Sequence, residues 1–110
     1  MIDIEALKDD GWLELADGSR TEIKEGDTFF ISSGTAEVAQ SGGDCWAVNG
    51  GTVNNTQSGG YCLSDDGGTV NNTQSGGYCW ARNGGTINNT QSGGECWARN
   101  GGTVNHISQA

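Results

Sequence analysis

The sequence predicts an all-β protein: a short β-solenoid (β-helix) of 17-residue rungs with a small N-terminal β-structured base or cap. A 17-residue unit recurs along the chain, and its four cysteines lie 17 residues apart, at Cys45, Cys62, Cys79 and Cys96. The 110 residues include 20 Gly and no Pro, and Gly pairs divide each unit in two. Apolar residues make up only 33%, too few for an ordinary core, whereas four Trp, two Tyr and two Phe argue against disorder. Stacked, hydrogen-bonded turns are therefore expected to organise the chain.

The repeat predicts six rungs, at 10–26, 27–43, 44–60, 61–77, 78–94 and 95–110, of which the first two are degenerate. One large apolar residue recurs every 17 positions, at Trp12, Phe29, Trp46, Leu63, Trp80 and Trp97. We expect an acidic N-terminal base or cap over 1–43 and a four-rung solenoid over 44–110. Residues 1–43 carry most of the net charge of −9.

Each unit divides into two strands and two corners, as in 78–83, 84–85, 86–91 and 92–94. Seventeen residues are too few for a helical-pair repeat of about 33 residues or a propeller blade of about 40. Gly at the corners permits the positive φ of sharp turns, and β-branched Thr, Val and Ile favour strands. Each unit is therefore expected to contribute two strands, and whether the coil has two or three sides stays open.

Side-chain alternation predicts which residues face the interior. Charge occurs in only one of the two alternating sets of the first strand, so the small, uncharged set is expected inside. The predicted core ladder is Cys45, Cys62, Cys79 and Cys96 on the first strands and Val53, Val70, Ile87 and Val104 on the second. Asn55, Asn72 and Asn89 are expected to point inward beside them.

The segment 2–8 is expected to form a short helix or an extended arm that covers the first rung. The alternative is that 1–43 is a small β-structured base that docks to a partner. Asp17-Gly18, a hairpin signal, supports this alternative equally.

The cysteines are expected to be buried free thiols acting as small apolar fillers. A straight ladder cannot surround one tetrahedral metal ion, and parallel side chains lack the torsion of a disulfide. Disulfides and a metal site are the two alternatives.

An outward row of large apolar residues is the main candidate for function. A contiguous exposed row of this kind usually marks an interface, and Trp is enriched among interface hot spots. The predicted oligomer interface comprises Trp46, Leu63, Trp80, Trp97 and Phe29, with a trimer favoured. The alternatives are that Trp points inward, or that the rings stack on sugars.

The second strands are expected to present outward rows of Thr, namely Thr52, Thr69, Thr86 and Thr103, and Thr56, Thr73 and Thr90. Such rows resemble those of ice-binding β-solenoids, although Asn separates the columns and only about four rungs are regular. The simpler interpretation is that Thr is a good exposed strand residue.

No catalytic residue, metal ligand or cofactor site is predicted, and the protein is not expected to be an enzyme. His106 is the single histidine and has no nucleophile–base partner in the sequence pattern. Asp65-Asp66 is interpreted as a solvated loop or corner rather than a cation site, and the sequons at Asn54, Asn71 and Asn88 as part of the repeat. The acidic charge disfavours nucleic-acid and membrane partners.

The Gly- and Thr-rich units over about 34–107 resemble those of bacteriophage spike, fibre and capsid-decoration proteins, and of bacterial surface proteins. The resemblance implies a structural virion-surface protein, a homo-oligomer that docks through 1–43 to a larger assembly such as a capsid or tail. The chain begins without a secretory signal, so we expect synthesis in the cytoplasm and a final place on the virion or another extracellular assembly. An ice-binding protein and a carbohydrate-binding adhesin fragment are the alternative functions.

Overall fold

Two parallel six-stranded sheets dominate the computed structural model, which describes residues 2–108. Helix α1 spans Ile4–Asp9. The first sheet contains β1 (Leu13–Glu14), β3 (Thr28–Ile31), β5 (Asp44–Val48), β7 (Tyr61–Asp65), β9 (Tyr78–Arg82) and β11 (Glu95–Arg99). The second contains β2 (Arg20–Ile23), β4 (Thr35–Gln40), β6 (Thr52–Gln57), β8 (Thr69–Gln74), β10 (Thr86–Gln91) and β12 (Thr103–Ser108). The predicted six-rung β-solenoid is confirmed.

The repeats stack in register from the third rung onward. Cys45 pairs with Cys62, and Cys79 pairs with Cys96, so equivalent residues lie directly above one another. The strands β1 to β4, within 1–43, continue the same two sheets. The division into a base over 1–43 and a solenoid over 44–110 stays a prediction.

The register differs from the prediction in the first two rungs. Phe29 pairs with Cys45, and Phe30 takes the position beside Trp46. The corner at 24–27 has one residue more than the later corner at 41–43, which shifts β3 by one position. At its other end β3 is one residue shorter than β5, since Ile31 pairs with Ala47 and Val48 has no partner in β3, and this restores the 17-residue spacing in the second sheet. The predicted alignment of Phe29 with Trp46 is therefore wrong, because the two length changes cancel in the overall period.

The interior contains the predicted core ladder. The side chains of Cys45, Cys62, Cys79, Val53, Val70 and Ile87 are fully buried. In the last rung Cys96 and Val104 are partly exposed and pack against the same cluster. The small residues of β5, β7 and β9 therefore face the interior, whereas Ala98 in the last rung is exposed.

A buried glutamine ladder connects successive rungs, and the sequence pattern did not reveal it. The side chains of Gln40, Gln57 and Gln74 are almost completely buried. The Gln57 amide Nε2 donates to the carbonyls of Gly60 (3.1 Å) and Tyr78 (2.9 Å), and its Oε1 accepts from Asn72 Nδ2 at 3.0 Å. Each glutamine thus joins its own corner to the two following rungs, which compensates for the scarcity of apolar side chains.

A disulfide joins Cys79 to Cys96, whose Cα atoms are 4.5 Å apart, while Cys45 and Cys62 are free and buried. The prediction of four free thiols is therefore wrong for the last two rungs. In-register pairing brings the two Cα atoms within the range of about 4.4–6.8 Å that disulfides span. A hydrogen bond with Cys62 and burial raise the pKa of the Cys45 thiol well above its ordinary value, so this thiol stays protonated.

Helix α1 lies on the outer face of the first sheet and forms a ridge there. Asp3 caps its N-terminus, accepting a hydrogen bond from the Ala6 amide at 3.3 Å. Leu7 packs against Phe30 and Val48, which are fully buried although both point away from the interior. The segment 2–8 is therefore largely helical, as one alternative proposed, but it covers the flank at the second and third rungs rather than the end of the first.

Candidate interaction surface

Three columns of side chains cover the outer face of the first sheet between β5 and β11. The columns, in strand order, are Asp44, Tyr61, Tyr78 and Glu95; Trp46, Leu63, Trp80 and Trp97; and Val48, Asp65, Arg82 and Arg99. Partial burial raises the pKa of the Asp44 carboxyl above its usual value. The face is thus mainly aromatic in the middle. The first column carries Asp44 and Glu95 at its two ends, and the third carries Arg82 and Arg99 together with Asp65.

Four rings of this face form one continuous group, here called the aromatic patch: Tyr61, Tyr78, Trp80 and Trp97. Trp80 stacks on Trp97 with ring centroids 5.7 Å apart, and Tyr61 stacks on Tyr78 at 5.4 Å. Edge contacts of 6.1 and 6.3 Å join each tyrosine to the tryptophan of the following rung. Offset and edge geometries of this kind are favourable and hold the rings in place. The two tyrosines were not among the predicted interface residues, although their 17-residue spacing was a signal.

The predicted interface residues do not all lie in this patch. Trp80 and Trp97 belong to it, and both are partly exposed. Trp46 lies at the edge of α1, with its ring 4.9 Å from that of Trp12 and beneath the Arg82 guanidinium at 5.7 Å. Leu63 is only 1% exposed, and Phe29 packs against the interior cluster.

The fourth rung differs from its neighbours because of a buried carboxylate. Asp65 is fully buried and accepts from Arg82 Nε at 2.8 Å and from Asn83 Nδ2 at 3.0 Å. The interpretation of this dipeptide as a solvated loop is therefore wrong for Asp65. The two charge-assisted bonds satisfy the carboxylate and fix the Arg82 side chain over Trp46.

The outer face of the second sheet presents Thr and Asn in straight columns. Side-chain hydrogen bonds run along the Asn column from Asn71 to Asn54 (2.9 Å), from Asn88 to Asn71 (2.9 Å) and from Asn105 to Asn88 (2.8 Å). The flanking Thr columns are partly or fully exposed: Thr52, Thr69, Thr86 and Thr103 on one side, and Thr56, Thr73 and Thr90 on the other. This face is polar and regular, in contrast to the aromatic patch.

Within the described residues 2–108, no group of three or more His, Cys, Asp or Glu side chains could hold a metal ion. None of the helical structure between residues 2 and 108 is long and apolar enough to cross a membrane. His106, on β12, is exposed.

Comparison with known proteins does not assign a family. No family model matches the chain, and neither a curated protein nor a solved structure is significantly similar to it.

Proposed function

We propose that this chain is a non-enzymatic structural protein, a stiff rod that acts by self-association through the aromatic patch. The carrying observation is the four-ring patch on a continuous parallel sheet, with Tyr61 and Tyr78 exposed by 48% and 41%. Exposed apolar area of this kind is usually covered by a partner, and Trp and Tyr dominate interface energetics. The rings are already ordered by one another, which reduces the entropy lost on association.

The finer proposal is that the rod belongs to a virion surface, as a capsid decoration, spike or fibre component. Its support is the resemblance of the Gly- and Thr-rich repeats to those of bacteriophage structural proteins. A rigid, hydrogen-bonded solenoid also suits a projecting part that must keep its shape. In this proposal the N-terminal region docks to the particle, and the patch joins copies of the rod.

The Trp80→Ala substitution tests self-association. Removing this ring from the middle of the patch is expected to weaken the association constant about 30-fold, the effect of a hot spot worth about 2 kcal/mol. Sedimentation equilibrium of the wild type and the variant measures the change. The control is Thr86→Leu on the second sheet, which should leave association unchanged. Equal association by Trp80→Ala and the wild type would contradict the proposal.

A second candidate function is ice binding by the outer face of the second sheet. The observation that favours it is the in-register Asn column flanked by Thr columns, because equal rung spacing makes a regular polar lattice. Thermal hysteresis at about millimolar protein measures it. This function predicts hysteresis that Thr86→Leu abolishes and Trp80→Ala preserves, and the absence of hysteresis in the wild type would remove the candidate.

A further inference from the structure

The outer face of the first sheet has a step, which limits how two copies can meet. Helix α1 covers this face at the second and third rungs, where Leu7 packs on Phe30 and Val48. The aromatic patch occupies the fourth to sixth rungs and has no helix over it. A helix is about 10 Å across, similar to the distance between two packed sheets. The end covered by α1, here called the high end, therefore projects about 10 Å further outward than the end with the aromatic patch, here called the low end.

The two ends of this face also differ in charge. Helix α1 and its caps carry Asp3, Glu5, Asp9 and Asp10 against Lys8, whose ammonium is 3.3 Å from the Glu14 carboxylate. The low end carries Arg99, exposed beside the patch with its guanidinium 5.9 Å from the Trp97 ring. Among the described Lys and Arg side chains, the other four lie within ion-pair distance of a carboxylate, and Arg99 does not. An acidic helix and an unpaired cation thus mark opposite ends of one face.

We propose that the partner of the aromatic patch is a second copy of this chain, packed antiparallel about a two-fold axis that runs parallel to the strands. The inference rests on the proposed function and specifies its geometry. With this axis the two low ends meet, and each α1 lies beyond the end of the opposite patch. Each column faces its own column, and Arg99 shares the third column with Val48, which α1 covers. Arg99 of one copy therefore approaches the acidic helix of the other.

A parallel pair does not fit the step. Two rods in the same direction would bring the two ends that carry α1 together, and even one helix layer would hold the sheets about 20 Å apart there, taking about 10 Å for each layer contact. The patches could not touch across that gap, and the acidic helices would repel each other. The same step disfavours three parallel rods with their patches turned to a common axis.

Charge reversal tests the orientation in the full chain. Arg99→Glu is expected to weaken association about tenfold, since it turns two attractions per pair into repulsions. Adding Asp9→Lys and Asp10→Lys to this variant should return the constant to within about three-fold of the wild type. The control is Arg20→Glu, which makes the same change in net charge on the second sheet, where this side chain is 84% exposed. Association measured by sedimentation equilibrium should change little in the control.

The outcomes separate the geometry from the proposed function. A wild type that stays monomeric at all concentrations overturns both. Association that is insensitive to Arg99→Glu overturns the antiparallel geometry alone. So does rescue of Arg99→Glu by Glu95→Arg instead of the helix substitutions, because a parallel pair would bring Glu95 opposite Arg99. Far-ultraviolet circular dichroism of each variant verifies that the fold is intact.

Discussion

Gln57→Leu is expected to lower the free energy of unfolding by about 3 kcal/mol, because it breaks the buried glutamine ladder. Leucine has a similar volume but makes none of the bonds to Gly60, Tyr78 and Asn72. The Asn72 Nδ2 group, buried at the centre of the rod, would lose its acceptor. Urea unfolding followed by circular dichroism measures the change.

The repeat itself supplies the control for this substitution. Gln91 occupies the equivalent position near the end of the rod, where it is only partly buried and donates to the Gly94 carbonyl at 2.8 Å. Gln91→Leu should therefore cost about 1 kcal/mol or less. If the two variants lost the same free energy of unfolding, burial would not determine how much a glutamine of the ladder contributes to stability.

Gly68→Ala is the second substitution with a large expected effect, about 3 kcal/mol or more, through steric overlap between rungs. A Cβ atom at Gly68 would overlap the carbonyl oxygen of Ala47 in the rung below. Both atoms belong to rigid backbone, so the two rungs must separate to make room. Thermal unfolding of the variant measures the loss of stability.

The neighbouring Gly67 distinguishes steric overlap from backbone strain. Its φ is +82°, but a Cβ there would have only the Gly50 amide nitrogen near it, at 3.9 Å. Gly67→Ala should therefore cost about 1–2 kcal/mol, the strain of a left-handed alanine. A cost at Gly67 equal to or above that at Gly68 would contradict the close approach of the corners.

Periodicity in the sequence predicts the solenoid because the same 17 residues recur and equivalent residues must then stack. The alternation of side chains along each strand also predicts which residues face the interior. Because Arg82 and Arg99 are charged, their alternating set must face outward, and Cys79 and Cys96 belong to the set that faces inward. The register of Phe29 could not be predicted, because the longer corner before β3 and the shorter β3 itself compensate and leave the period intact. Only the pairing of β3 with β5 reveals them.

The candidate site was predictable only in part, for reasons of packing. Trp80 and Trp97 lie outward as the alternation requires. The burial of Leu63, only 1% exposed, and the position of Trp46 depend on α1, Trp12 and Arg82, which are distant in sequence. The glutamine ladder shares the inward parity of Asn55, but composition gave no reason to expect a buried amide at Gln57. The features of the site that the repeat does not predict are therefore determined by side-chain contacts between segments that are distant in sequence.

Hydroxyl-radical footprinting of the wild type over a range of protein concentrations tests most directly whether the aromatic patch is an interface. Oxidation of Tyr61, Tyr78, Trp80 and Trp97 should fall as the protein concentration rises, because association covers their rings. Leu13 (59% exposed) at the other end of the rod and His106 on the second sheet should remain equally reactive. Unchanged oxidation of the patch, or protection centred on His106 and the Thr columns, would contradict it.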